Sequence, residues 1–512
     1  MKKILALWMT ALLLVSMLSG CNQQSEEAYV PTGDALVMEG EEPTTDESGE
    51  EAVQELTLTY YKDRSMNPLL STDFTNRALF SLMYQGLFTV DRDYQTEPML
   101  CKRYAVSEDM MTYTFYIDQA TFSDGSRLTT QDVIASLEAA QESNYYKGRF
   151  QHITEIMPSG DGGVTITLDT PCENLPILLD IPILKTSQVD LEFPLGTGPY
   201  YLDVAGSRLV RRSNWWCEAE EMTVTAPVID LLPAGTPNEI RDDFQFAQLD
   251  LVCADPGSDH YADYRSDYEL WDCESGIFMY IGMSPQSEVF SVPEIRAALT
   301  YAINRDYIVD TYYRGFARSA CLPASPTSPY YSQSLASRYE YDAAKFSQAI
   351  ANAGKFGTKI EFLVNSDDSL RLKVAKDIAQ TLRECGLDVE MKAVGGQLYR
   401  DCIWYYTYDI YLGQTKLSPN MDLSPFFSYT GELSIGGMNN VAAAALCNDA
   451  LANHGNYYTL HKTVMDEGLL CPVLFRSYAI YGTRGLLTTL TPSRDTVFYY
   501  SIGKNMTECL IQ

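Results

Sequence analysis

One stretch past the middle of the chain leaves little choice of architecture. Residues 358–364 read as a strand, Leu370–Glu384 as a helix ended by Gly386, and Leu387–Ala393 as a second strand. Two strands joined through a helix pair in parallel, because the helix supplies the return path and covers one face of the sheet. Tyr408–Leu412 extends the pattern. Upstream, Ile295, Leu299 and Ile303 fall four apart on one face of a helix expected to be capped by Ser291, and Asp342–Ala353 is a second helix closed by Gly354. The first half is richer in strands: Leu56–Tyr61, Tyr113–Ile117, Val164–Leu168 and Tyr200–Val204. Between them, Thr75–Tyr84 is helical, with Asp73 as its cap and Gly86 as its stop. Thr129 with Asp132 approximates a capping box for a helix running through Ala140. The fold class is α/β, without an internal repeat.

The amino terminus is a different kind of chain. Lys2 and Lys3 precede an uncharged, mostly apolar run from Ile4 to Gly20. A membrane-spanning helix needs roughly 20 apolar residues and a secretory core about 7–15, and Ile4–Val15 fits the second. Leu18, Ser19, Gly20 and Cys21 resemble a bacterial lipobox, which makes residues 1–20 a lipoprotein signal peptide and Cys21 the lipidated first residue of the mature chain. The expected localisation is the cell membrane, lipid-anchored on the extracytoplasmic face. From Asn22 to Glu55 there are eleven Asp or Glu and no Lys or Arg. Such a segment buries too little apolar surface to offset its ordering entropy, so 21–55 is expected to be an acidic, disordered tether.

A chain of 512 residues exceeds what one core can organise, so about two or three globular units are expected. A net charge of −31 makes nucleic acid a poor partner and none is expected. The twelve cysteines contain no CxxC pair, and with Cys21 taken by lipid an odd number remains. Most are expected to be buried free thiols, with room for one or two bridges. None of His152, His260, His454 and His461 pairs with a cysteine at zinc-ligand spacing, so neither a metal nor another cofactor is expected.

The order of the motifs is more specific than any one of them. "MNPLLSTDFTNRALFSLMYQGLF" (66–88), "EPMLCKRYAVSEDMMTYTFYI" (97–117) and "ATFSDGSRLTTQDVIASL" (120–137) are followed by "LGTGPYYL" (195–202) and "RRSNWW" (211–216), then by "VPEIRAALTYAINRDYIVDTYYRGFA" (292–317) and "YDAAKFSQAIANAG" (341–354). In this order they resemble the extracellular solute-binding proteins of family 5, the peptide- and nickel-type receptors of ABC importers. The resemblance covers nearly all of residues 56–490. It implies a two-lobed periplasmic-binding-protein type II (Venus-flytrap) fold of the large cluster. Lobe 1 would be 56–275, with an extra subdomain at about 88–185; lobe 2 would be 276–475, and 476–512 would return to lobe 1. The crossings are expected near Gly276–Met283 and Cys471–Tyr481. The partners implied are a small-molecule or peptide ligand and ABC transporter permease subunits, for a receptor expected to be a monomer.

Other readings fit the residues less well. Gly196, Gly198 and Pro199 lead into a strand instead of a helix and lack the third glycine of a dinucleotide loop, so a tight turn is expected there. Ser284 in "GMSPQ" is followed by Pro285 where a nucleophile elbow needs a helix to begin, and four scattered histidines offer little material for a triad. No enzyme activity is expected; a surface carbohydrate-binding or adhesion lipoprotein is the alternative, and a hydrolase the more remote one.

The pocket is expected between the lobes, formed by loops at strand ends and by the crossings. The candidates from lobe 1 are Ser71, Thr72, Asp73, Phe74 and Tyr84. The crossings offer Met279, Tyr280, Arg476 and Tyr478, and lobe 2 offers Trp404, Tyr405, Gln414, Thr415, Lys416 and Leu417. Arg476, a cation on an apolar strand, needs either a protein carboxylate or an anionic ligand. Peptide receptors of the family commonly carry an aspartate that accepts the peptide's amino group. The corresponding stretch here, 412–427, places Gln414, Thr415 and Lys416 in the earlier loop and Asp422 in the later one. That implies an anionic or N-blocked solute, unless Asp422 or Asp73 holds an amine while Lys416 faces solvent.

Overall fold

The computed structural model describes residues 55–217 and 226–498, apart from 259–260, 262, 266, 486–489, 491 and 495. The leader, Cys21 and the acidic segment ahead of residue 55 lie outside them. No helix among the described residues is long and apolar enough to cross a membrane.

The first strand, Glu55–Tyr61, pairs in parallel with Val228–Ala234, which lies far along the sequence; Arg208–Arg211, antiparallel to the latter, and Tyr200–Leu202, antiparallel to Arg208–Arg211, complete a four-stranded sheet. Between the two parallel partners a subdomain is inserted. Its antiparallel sheet orders Cys101–Val106, Thr112–Ile117, Val164–Leu168 and Ile153–Pro158. The helix Thr130–Glu142 belongs to it, and its capping box is complete: Asp132 N donates to the Thr129 hydroxyl and Thr129 N to the Asp132 carboxylate at 2.9 Å.

The seven-stranded sheet is the frame that joins the lobes. It orders Leu251–Ala254, Cys471–Thr483, Tyr268–Met283, Ile410–Lys416, Lys359–Asn365 and Asp388–Val394, with Ala317–Ser319 alongside the second of these. Lys359–Asn365, helix Ser369–Glu384 and Asp388–Val394 form the parallel βαβ unit. Two strands are long enough to serve both lobes. Tyr268–Glu274 pairs with Ser477–Thr483 beside Tyr61, Ile240, Phe244 and Tyr481, in the first lobe's packing. Further along the same strand, Met279, Ile281 and Met283 join Leu299, Phe346 and Ile378 in the core of the second lobe. Its register against the partner strand shifts between Glu274 and Phe278, and Gly276 sits inside that break at φ +68°. A glycine in the left-handed region lets the extra residues bulge without strain.

Some local expectations need correction. The helical stretch after Asp73 is two single turns, Phe74–Arg77 and Phe80–Met83, with Asp73 as N-cap of the first. The cap near residue 291 is Val292, because Pro293 takes the first helical position, where its missing N–H costs nothing. That helix ends at Ala298 and tightens into a 3₁₀ turn, Leu299–Ala302, yet Ile295, Leu299 and Ile303 are all fully buried. The loop at Gly196–Pro199 is a close backbone approach: a Cβ on Gly196 or Gly198 would collide with the backbone of Met83. Arg212, Trp215 and Trp216 all donate to the carbonyl of Thr197 inside it, so the "GTGP" and "WW" motifs are one packing unit. The Ser284 hydroxyl accepts from Gln286 N and closes a turn. All ten described cysteines are free thiols, eight of them buried.

Candidate functional site

The two lobes touch along a seam. The subdomain contributes the turn at 144–151, His152 and Glu173; the second lobe contributes 415–433 and the end of helix Val441–Ala452. Glu173 N donates to Leu451 O at 2.8 Å, and His454 N to the Glu173 carboxylate at 2.8 Å. Lys147 pairs with Glu432 at 3.0 Å. The His152 imidazole lies between lobes: Nδ1 is 2.8 Å from Asp169, while Nε2 is 2.9 Å from the Ser424 hydroxyl and 3.3 Å from Asp422. Burial works against its protonated form, but the carboxylates of Asp422 and Asp169 outweigh it and raise its pKa to about 9.

Within this seam lies a cavity of about 180 Å³, walled on one side by Asn144, Tyr145, Lys147, Arg149 and Gln151 and on the other by Thr415, Lys416, Leu417, Ser418 and Glu432, with Arg494 from the end of the chain. A further 70 Å³ opens beyond Arg149, beside Arg77 and Asp180. The first space is of a size that admits a small solute. Lys416 reaches across it: Nζ donates to the Ser275 carbonyl at 2.6 Å and lies 4.5 Å from the ring centroid of Tyr145. A second-lobe cation thus rests on a first-lobe aromatic face.

The candidate residues fall into separate places. Thr415, Lys416 and Leu417 line the interlobe cavity. Thr72, Asp73, Phe74 and Tyr478 line another, of about 240 Å³, walled by the first lobe and its crossing strand, where Phe74 stacks on Tyr478 at 3.9 Å. Asp73 is partly spent there as a helix cap and as the partner of Arg64; burial raises its pKa against the pull of that arginine. Ser71 is buried and gives its carbonyl to Arg77, and the Tyr84 hydroxyl donates to Pro194 O inside the first lobe.

Ser71 and Tyr84 line neither of these cavities, nor do Met279, Tyr280, Trp404, Tyr405, Gln414 and Arg476. Met279 and Tyr280 are interior, because their strand has neighbours on both edges and packing on both faces. Trp404 and Tyr405, at the end of helix Gly396–Trp404, are 63% and 71% exposed. Arg476 finds a protein carboxylate: Nη2 donates to both oxygens of Asp255 at 2.6 and 2.7 Å, and Nη1 reaches Gln414 at 3.4 Å. Burial disfavours its charge, but Asp255 more than compensates and holds it protonated. The wall residues Asn144, Lys147, Arg149, Gln151 and Arg494 were not among the candidates. The run "YYKGRF" (145–150), with two cations set among aromatics, is a signal that could have marked the first four; none marks Arg494.

Residues 95–434, well over half of the chain, match the model of the bacterial extracellular solute-binding proteins, family 5. The chain belongs to that family. Its members are transport receptors and not enzymes. The glutathione-binding protein GsiB of Salmonella typhi is 26% identical over 357 residues, which is 64% of this chain and 67% of the relative. Among solved structures, the ABC transporter substrate-binding protein CtaP of Listeria monocytogenes superposes with a TM-score of 0.71 at 18% identity, covering 88% of this chain and 99% of that one. NikA of Brucella suis, in complex with Fe(III)-EDTA, gives 0.69 at 16% identity, covering 87% and 99%. These likenesses establish the two-lobed type II fold.

Proposed function

We propose that this family 5 protein is the receptor lipoprotein of an ABC importer, which captures a small solute (an oligopeptide or related compound) between its lobes and delivers it to the membrane permease. The observation that carries the reading is the interlobe cavity: it takes one wall from each lobe, and the lobes are joined by two strands with a glycine-bearing register break at the crossing. Rotation at that break would open the cavity to solvent, and closure would hide the solute and present one joined surface to a partner. Lipid on Cys21 would keep the receptor at the extracytoplasmic face, with the acidic segment as its tether.

Native mass spectrometry of the purified body should reveal a co-purifying solute of small mass. Adding that solute should raise the unfolding midpoint and shrink the radius of gyration in X-ray scattering. A solute that stabilises the protein without changing the scattering would refute closure. The anchor is tested separately: Cys21→Ser should release the protein from membranes or leave the precursor uncleaved. Processing at residue 21 with unchanged membrane retention would refute it.

A further inference from the structure

We propose that Arg494 receives a carboxylate of the solute held between the lobes, so that the ligands of this receptor are anions. The inference rests on the receptor reading above and adds the charge of what is bound. Arg494 is 4% exposed, and none of its three guanidinium nitrogens has a hydrogen-bond partner among the described residues. A guanidinium carries five donors and stays charged, so burying it unmatched is among the costliest arrangements a protein can hold.

The other buried arginines show what a structural guanidinium looks like here. Arg305 gives its donors to the carbonyls of Thr300, Ala320 and Pro472. Arg77 bonds the carbonyls of Pro68 and Ser71 and the Tyr146 hydroxyl. Arg149 pairs with Asp180, and Arg476 grips Asp255 with both bonds. Arg494 has no such bonds among the described residues: its guanidinium carbon lies 5.6 Å from the ring centroid of Tyr94, which supplies no hydrogen-bond acceptor to its donors, and it lines the interlobe cavity beside Thr415 and Gln151.

The acidic groups on the same wall are already committed. Glu432 is held by Lys147, while Asp422 accepts from Ser424 N and its hydroxyl and faces His152. Matching negative charge therefore has to arrive with the solute. A carboxylate suits the fork, since two parallel N–H donors can meet its two oxygens. The location adds a reason for closure to follow binding. One Arg494 nitrogen lies 3.4 Å from where a Cβ on Gly276 would stand, beside the register break at which the long strand changes lobes. An anion seated on Arg494 would sit against the crossing itself.

Two sources supply such a group: the carboxylates of a short peptide, or a free small carboxylic acid. Calorimetry on the full mature chain would compare a pool of tripeptides without acidic side chains, the same pool amidated at the C-terminus, and citrate. At least one carboxylate form is expected to bind, with its amide or neutral counterpart weaker by about tenfold, or about 1.4 kcal/mol. Arg494→Gln should remove that preference and Arg494→Lys keep part of it. The unfolding midpoint of ligand-free Arg494→Gln should stay level or rise, because an unpaired buried charge is lost; a structural arginine would lower it. Equal binding of acid and amide, an unchanged preference in Arg494→Gln, or no response to any carboxylate would overturn the inference. Neutral solutes that bind and contract the scattering would leave the receptor reading standing while this one fell.

Discussion

The His152 bridge offers the sharpest test of how the seam is held. The imidazole belongs to the subdomain, just ahead of the strand Ile153–Pro158, and its buried partner Asp422, 4% exposed, belongs to the second lobe. Its folded pKa of about 9 stands above an ordinary value of 6.5. A group raised in this way contributes its full stabilisation below about 6.5 and loses it as the pH climbs through about 9. The difference corresponds to about 3 kcal/mol in total. Asp169 lies in the same subdomain as His152 and its side chain is 54% exposed, so its share persists when the lobes part. Assigning roughly half to Asp422 leaves 1–2 kcal/mol specific to the seam, about a tenfold change in a closure equilibrium. With four histidines in the chain, the imidazole resonances can be assigned by substitution and titrated by NMR. The His152 midpoint is expected near 9, and lower in Asp422→Asn. Urea unfolding should show His152→Gln destabilised by about 3 kcal/mol at pH 6.5 and little at pH 9.5. A His152 midpoint near 6.5, or parallel pH profiles for wild type and His152→Gln, would refute the reasoning.

Two further predictions concern buried charge and buried polarity. Asp255→Ala leaves Arg476 charged and unpaired in the crossing and should cost about 3–5 kcal/mol in urea unfolding, whereas Arg476→Met leaves only a carboxylate whose side chain is 30% exposed and should cost less. His461 is fully buried, neither of its ring nitrogens has a hydrogen-bond partner among the described residues, and burial lowers its pKa to about 3. Because only the unfolded chain takes up that proton, its contribution is level above about 6.5 and falls by about 1.4 kcal/mol per pH unit as the pH drops toward 3. His461→Phe should therefore flatten the acid limb of stability between pH 6.5 and 4, measured by urea unfolding.

What could be read from the sequence was local or carried by motif order. The βαβ unit, the capping box at Thr129 and the turn at Gly196–Pro199 depend on residues close together in the chain, and there the reading and the structure agree. The partner of Arg476 was out of reach because Asp255 is 221 residues away. The interior placement of Met279 and Tyr280 was not legible because a strand buried on both faces has no alternation to separate pocket from core. The exposure of Trp404 and Tyr405 was equally out of reach, since aromatic identity says nothing about which way a helix end faces. Arg494 carried no signal: an arginine in a loop is ordinary until its surroundings prove apolar and its donors unmet.

The charges around the cavity divide by what they hold together, and that division bears on how a receptor of this kind can respond to its solute. Arg476 and Asp255 lie at the crossing, one on its strand and one just beyond the edge strand, so their pairing stabilises the frame whatever the lobes do. The contacts between Lys147 and Glu432, Lys416 and Tyr145, and His152 and Asp422 join residues of opposite lobes and exist only when the lobes meet. Both partners of the first pair are well exposed, which places it at 0–1 kcal/mol or so. The cation on Tyr145 adds about 1 kcal/mol and the imidazolium bridge about 1–2 kcal/mol. Against these stand the burial of Arg494 without a counter-charge and the ordering of the seam, both unfavourable. The favourable contacts across the seam come to about 2–4 kcal/mol. A solute can shift the closure equilibrium only through the contacts it makes in the closed form alone. A carboxylate that meets Arg494 does this twice over, by gaining its own hydrogen bonds and by removing the term that opposes closure.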